Sequence, residues 1–413
     1  MPGCPVASSF DPFAAGYLAD PYPHLAAVRD RTPAFYVPEL DMWVVTRYAD
    51  IEAIFSDVET FSARIAQDPV FPLAEQARAA LVEGGFRAGA TMSNCDPPKH
   101  TRIRRHNMRA FSARRISVLE PKVAAKAEEL VGRMLAAERF DAVAGLTYPL
   151  PAYMIFTLIG FPPRDTEMLK SWCGNRMAFS WGRPSPAEQA EIAVGMARYW
   201  RYCEQFVSDR LADPQDDFTS DHLAVHRADP EALTLDEITG VIYGLSFAGH
   251  ETTTNLTSNA IRRLLEHRDQ WEALCADPSL ISGAVEEVLR YDTSVVAWRR
   301  VTTRPTRIGE VEVGAEAKLM LLLAGSGRDP ARFAAPDTFD VRRVDAARHL
   351  AFGRGIHFCL GAPLARMEVR IVLELLTRLA PDLELVPDQV FTFPPNISFR
   401  GPQQLWLQHG PRR

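Results

Sequence analysis

The stretch from Thr234 to about Leu265 reads as one unbroken helix, and no other feature restricts the fold as much. Thr234 followed by Glu237 is a capping box, in which each side chain satisfies a backbone N–H that the first helical turn leaves free. At 1.5 Å per residue such a helix runs roughly 45–50 Å, the width of a domain. Its first half, Ile238 to Gly249, is almost wholly apolar and so belongs inside protein. His250-Glu251 and the polar run behind them end that apolar stretch short of the ~18 residues of a membrane span.

The rest of the sequence fits one domain, residues 1–413, in which helices cover this strut. Hydrophobic residues make up 47% and charged residues 24%, the balance of a protein with a sizeable core. No repeat, low-complexity tract or Gly/Ser linker divides the chain. The β signals are short and peripheral. Trp43 to Thr46 reads as a strand followed by a helix from Ala49 to Phe55, and Thr306 to Leu323 as strands separated by turns at Gly309 and Gly314. Phe391 to Phe393 and Leu405 to Leu407 alternate likewise. The expected class is mainly α with small β sheets.

A net charge of −6 argues against a nucleic-acid partner, which needs a basic face. Met1 to Val6 has neither a basic nor an apolar segment of a secretory signal, and no membrane anchor is visible, so the expected location is cytoplasmic. Six cysteines, Cys4, Cys95, Cys173, Cys203, Cys275 and Cys359, stand singly with no C-x-x-C pair. That spacing disfavours zinc ribbons, thioredoxin-like chemistry and iron–sulfur clusters. A lone cysteine is by default a small buried hydrophobe, and five of the six fit that description.

Two segments do not read as plain structure. Ala248-Gly249-His250-Glu251-Thr252-Thr253 places a glycine and β-branched polar residues in mid-helix, where helix propensity is poor, and such inconsistencies often mark function. Gly249 permits close approach by a neighbour, the Thr252 hydroxyl competes for a backbone carbonyl, and Glu251 is a candidate proton relay. A polar kink filled by water is an equal alternative. His250 reads as facing its neighbours. In the second segment, Phe352 to Gly361, three glycines surround Cys359 just before a helix that begins near Ala362. Backbone N–H groups in such a loop and at a helix start stabilise negative sulfur.

The sequence Phe352-Gly353-Arg354-Gly355-Ile356-His357-Phe358-Cys359-Leu360-Gly361 resembles the haem-binding loop of cytochromes P-450, F-G-x-G-x-H-x-C-x-G, without departure. The family's other motifs follow in order. Glu287-Val288-Leu289-Arg290 matches E-x-x-R, with Arg343 as its third member or, alternatively, Arg342. Asp96 to Arg104 looks like the start of the family's helix beside the haem. The resemblance extends over essentially the whole chain. Trp43 to Tyr48, Trp181 to Gln189, Trp298 to Val301 and Asn396 to Pro402 resemble, more narrowly, the haem domain of the self-sufficient subgroup with a fused reductase. In that subgroup the linker to the reductase would begin near Arg413. A separate relative and an excised domain both remain open.

The resemblance implies the triangular P-450 fold, with haem b between the long helix and the cysteine loop and Cys359 as the iron's ligand. His100, Arg104, Arg300 and His357 would bind the propionates, with Arg299 an alternative to Arg300. Phe352, Gly361, Ala248 and Gly249 would lie against the haem, and Glu251 and Thr252 would deliver protons. Glu287, Arg290 and Arg343 would be structural. Thr91, Ala248, Val295, Val296 and Ile397 would line a substrate pocket without a fixed charge. The reaction implied is hydroxylation or oxidative dealkylation of a small hydrophobic or aromatic substrate with O2. Electrons would come from an NAD(P)H-dependent flavin/iron–sulfur reductase, separate or natively fused, and the protein would be a monomer. Three rivals are a peroxide-driven peroxygenase, a Cys–His hydrolase and a non-catalytic haem sensor.

Overall fold

The capping box at Thr234 closes as the sequence implies. The Glu237 N–H donates to Thr234 Oγ1 at 3.2 Å, and the Thr234 N–H to Glu237 Oε2 at 3.1 Å. The helix that follows covers Leu235–Glu266, 32 residues, or about 48 Å. The structure, a computed structural model, describes residues 10–87, 89, 92–109, 111–173 and 176–410. About 55% of the residues are helical, as expected for a mainly α chain with small sheets.

The helices that build the site are α1 (Lys99–Asn107), α2 (Ala113–Leu135), α3 (Pro149–Ile159), α4 (Arg176–Trp181), α5 (Pro186–Ala212) and α6 (Phe218–Ala228). They are joined by the long α7 (Leu235–Glu266), α8 (Ile281–Tyr291) and α9 (Ala362–Leu379). Helices α3, α5, α6, α8 and α9 all pack on α7. Ile238, Val241, Ile242, Leu256, Ile261 and Leu264 of α7 share one buried cluster with Phe156 of α3, Val288 of α8 and Val372 of α9. Each such side chain contributes about 1.5–3 kcal/mol by leaving water.

A five-stranded sheet flanks the bundle. Its strands are β1 (Ala34–Val37), β2 (Met42–Val45), β3 (Phe61–Ser62), β4 (Trp298–Thr302) and β5 (Lys318–Leu321), in the order β1-β2-β5-β4-β3. Only the β2–β5 pair is parallel; β4 runs antiparallel to β5, with Arg300 opposite Leu319. A second sheet joins Trp406–His409 to Arg139–Asp141 and Leu383–Leu385, and Thr306–Ile308 forms a hairpin with Val311–Val313. Phe391 to Phe393 is not a strand. Pro394 and Pro395 follow at once and offer no N–H to a ladder, while both phenylalanine rings lie beside the Arg262 guanidinium.

The end of α8 is tied to α7 through buried Asp292. Arg262 Nη2 and Arg263 Nε donate to Asp292 Oδ2 at 2.6 and 2.7 Å, and the Tyr22 hydroxyl donates to Oδ1 at 2.8 Å. A carboxylate so deep in protein persists only with such partners, so the crossing of the two helices is set by charge as well as packing.

Candidate active site

The loop from Phe352 to Gly361 delivers Cys359 to a cavity between α7 and α9. Gly353 and Gly355 adopt left-handed φ of +70° and +67°, and a Cβ on Gly355 would meet the Phe55 carbonyl oxygen at 2.8 Å. The Cys359 N–H donates to the Phe352 carbonyl at 2.9 Å, which closes the loop before α9. The Cys359 side chain is reached from the cavity although protein surrounds it. Burial pushes its thiol pKa up, opposed by the Gly361 N–H, Arg104, the Ala362 N–H and Arg366. The loop and helix-start amides thus act toward the thiolate, as expected, against the cost of burial. Desolvation outweighs them, and a coordinated cation is what ionises such a thiol.

Cations gather at one edge of this cavity. Residues alternate faces along β4, so Trp298 and Arg300 line the cavity. Arg299 turns away, donating to the Ala66 and Asp68 carbonyls at 3.1 and 2.6 Å. Of the two arginines, only Arg300 is on the cavity wall. Its Nη1 donates to the Arg299 carbonyl at 2.8 Å, and its Nε is buried with no partner among the described residues. Arg104 lines the cavity too, with Nη2 donating to the Phe358 carbonyl at 2.7 Å. His357 is on the wall, its Nε2 buried and unpartnered among the described residues. Burial first, then Arg300 and His100, push its pKa down to about 3. His100 stands behind it, ring centroids 4.2 Å apart, rather than on the wall.

From α7, Ala248 and Thr252 reach the cavity wall. Thr252 Oγ1 donates to the Ala248 carbonyl at 2.8 Å, the competition expected of a mid-helix threonine. Gly249 also borders the cavity, but its missing side chain answers to α3: a Cβ there would lie 2.7 Å from Ile155 Cδ1. Glu251 is turned into the protein, with Oε1 unpartnered among the described residues, and burial raises its pKa to about 7. His250 is buried, Nε2 lying 3.1 Å from the Tyr148 carbonyl and Nδ1 3.8 Å from Glu251 Oε1. Burial lowers its pKa to about 4, so it is neutral and neighbour-facing, as expected.

The cavity's water-accessible core is about 280 Å³. Ala248 and Val295 line it as predicted, whereas Val296 and Ile397 do not. Both are buried instead in a cluster with Trp181, Phe247 and Phe399, because Val296 follows Val295 onto the other face of an extended segment. Thr91 lies outside the described residues. Arg176 and Glu368 also line the cavity, and neither was anticipated. Glu368 was detectable as a carboxylate on the apolar stripe of α9, one turn beyond Leu364. Both its oxygens are unpartnered among the described residues, and burial pushes its pKa well above the carboxylate range. Arg176 corrects the expectation of a pocket without fixed charge.

Behind the loop, Glu287 and Arg290 are fully buried. Arg290 Nε and Nη2 donate to the two Glu287 oxygens at 2.7 and 2.8 Å, and Arg290 also reaches the carbonyls of Gly327, Pro336 and Thr338. Arg343 Nε is 3.3 Å from Glu287 Oε1, while Arg342 is exposed. The third member is Arg343.

An accessible sulfur, apolar walls and, at one edge, Arg104, Arg300 and His357, with buried nitrogens of the last two unpartnered among the described residues, fit haem b, whose iron needs a thiolate and whose propionates need donors. The cytochrome P450 family model matches residues 196–379. The chain is 38% identical over 395 residues to the cytochrome P450 monooxygenase PikC of Streptomyces venezuelae, covering 93% of this chain and 90% of that one. It superposes with a TM-score of 0.96 and 40% identity on an intact type IV self-sufficient cytochrome P450 monooxygenase, covering 99% of this chain and 54% of that one. It thus spans about half of the self-sufficient protein. A third similarity is to cytochrome P450 CREJ in complex with (4-ethylphenyl) dihydrogen phosphate, with TM-score 0.94, 39% identity, and coverage of 98% and 100%.

Proposed function

The chain belongs to the cytochrome P450 family, and from that premise we propose how its residues divide the work of a monooxygenase and what it oxidises. Haem b, when bound, supplies O2 activation and transfer of one oxygen atom to the substrate, chemistry that belongs to the cofactor. Residues 1–413 act as one haem domain. Cys359 Sγ holds the metal and donates electron density to it. Arg104, Arg300 and His357 hold the carboxylates of the cofactor, and His100 steadies the His357 ring. Phe352 and Gly361 frame the sulfur, and Ala248 and Gly249 border the cavity from α7. Glu287, Arg290 and Arg343 fasten the Gly327 to Arg343 segment behind the loop.

Thr252 presents its hydroxyl to the cavity, and Glu251, one residue on, turns inward. Together they would carry a proton from the protein interior to the Thr252 hydroxyl on the cavity wall. A carboxyl with a pKa of about 7 gives and regains a proton readily at neutral pH. Leu245, Phe247, Ala248 and Val295 exclude water on the substrate side.

The substrate is a small hydrophobic or aromatic molecule that is hydroxylated or oxidatively dealkylated. The apolar walls support this, as does the aromatic ligand carried by CREJ. Electrons arrive from an NAD(P)H-dependent flavin/iron–sulfur reductase, since the 413 residues contain neither a flavin fingerprint nor a cysteine cluster. The observation that carries the proposal is the Cys359 side chain opening on a cavity that Thr252 also lines, with Arg104 and Arg300 on its wall. The test is the absorption spectrum of the reduced, CO-bound protein. A red-shifted thiolate-type Soret band is expected in the parent. Cys359→Ser should still take up haem but lose that band and turnover; a variant that kept both would require another ligand.

A further inference from the structure

We propose that Arg176 anchors an anionic head group, a carboxylate or phosphate monoester, on the substrate. The inference rests on the monooxygenase reading of the same cavity and specifies which hydrophobic molecules it admits. Arg104 and Arg300 donate to backbone carbonyls at the cysteine-loop edge, and Glu368 is held neutral by burial. Arg176, in α4, is half-buried on the wall. Its Nε and Nη1 are buried and find no hydrogen-bond partner among the described residues.

What Arg176 does touch is aromatic. Its guanidinium carbon lies 4.6 Å from the Tyr243 ring centroid and 5.1 Å from that of Phe247, two rings one turn apart on α7. Ring faces offset part of the cost of taking a cation out of water but satisfy none of its N–H groups. The N–H groups that remain call for acceptor oxygens, and those of an anion are the strongest. This cation is separate from the cofactor edge, where the charges acting on His357 are Arg300, His100 and Arg104.

The spacing on α7 also gives a length. Phe247 and Tyr243 precede Thr252 by five and nine residues, about 7–14 Å along the helix axis. A molecule held at Arg176 and oxidised beside Thr252 therefore has a body of one ring and a short substituent. Leu245, Phe247, Ala248 and Val295 offer that body an apolar channel. A neutral analogue would leave buried donors unpaired, which is how a polar site rejects an isostere.

The test uses three ligands with one apolar body: 4-propylbenzoate, 4-propylphenyl phosphate and methyl 4-propylbenzoate. Each is titrated by calorimetry into the haem-loaded parent, Arg176→Gln and Arg176→Lys. The parent is expected to bind at least one anion roughly 10- to 100-fold more tightly than the ester. The anion preferred identifies the head group. Arg176→Gln should remove the preference while keeping the ester's affinity, which shows that the pocket is intact; Arg176→Lys should retain part of it. Equal affinity of the parent for ester and anions, or no binding of either anion, overturns the proposal. So does undiminished anion binding by Arg176→Gln. The CO spectrum of the same preparations reports the haem-thiolate reading separately.

Discussion

Glu251 shows what a single buried carboxyl does to both stability and chemistry. Its folded-state pKa of about 7 stands above the ordinary 4.5, and burial is the cause. Between those values the unfolded chain releases a proton that the folded protein retains, so stability falls as pH rises through the window and is level on either side. At 1.36 kcal/mol per unit the cost at pH 8 is about 3 kcal/mol. Glu251→Gln should match the parent near pH 4.5 and exceed it by roughly 2–3 kcal/mol at pH 8, as read by urea unfolding at both pH values. Equal stability at pH 8 would mean that the carboxyl is hydrated. Thr252→Ala tests the partner residue. It should keep the haem and consume NAD(P)H when supplied with a reductase, but divert reducing equivalents to hydrogen peroxide and water. Product per NAD(P)H is the measurement, and an unchanged yield would remove Thr252 from proton delivery. Partial uncoupling is expected, because water can stand in for a hydroxyl.

At the scale of elements, α8 and α7 are held by charge as well as by packing. The Glu287 carboxylate faces two guanidiniums, Arg290 and Arg343, at full burial. Glu287→Gln would leave both cations without their counter-charge, a loss of about 3–5 kcal/mol for a pair broken from one side. Because Arg290 and Arg343 also fasten the carbonyls of Thr338 and the Gly327 to Pro336 segment, haem retention should fall with stability. Arg342 is exposed, and Arg342→Gln should stay within about 0.5 kcal/mol of the parent. Thermal unfolding of the two variants side by side separates the buried network from the solvated arginine next to it. The packing side is visible at Gly249, where α3 comes so close that a single Cβ would collide with Ile155.

Over the whole molecule, the basic run from Lys99 to Arg115 is less uniform than its sequence. Lys99 and Arg102 face Glu237 at the start of α7, and Arg115 pairs with Asp216 and Asp221. Arg105, Arg109 and Arg114 remain exposed. If these steer an acidic electron donor, Arg109→Glu or Arg114→Glu should slow haem reduction severalfold and leave substrate affinity unchanged. The parent's rate should fall with rising salt, since charges beyond about 8 Å are screened at 0.15 M. Stopped-flow reduction across a salt series decides it; a rate indifferent to both salt and charge reversal leaves the run no partner role.

What the sequence determined by itself is local in origin. A capping box, a 32-residue helix, a glycine loop around one cysteine and an i,i+3 carboxylate–arginine pair each lie within a single element. Backbone geometry and residue chemistry suffice to read them. What only the tertiary structure decided depends on which neighbours an element meets. Arg300 rather than Arg299 faces the cavity because β4 pairs with β5 and turns alternate residues inward. Arg343 rather than Arg342 joins Glu287 because of how the 334–343 loop lies over α8. Val296 and Ile397 went to a neighbouring core for the same kind of reason. The cysteine's amides, legible in sequence, are outweighed by a desolvation that exists only once the loop is buried. Arg176 entered the wall because α4 lays it on Tyr243 and Phe247, a contact across more than sixty residues of chain. Burial belongs to the surroundings of a residue, and those surroundings come from the assembled helices.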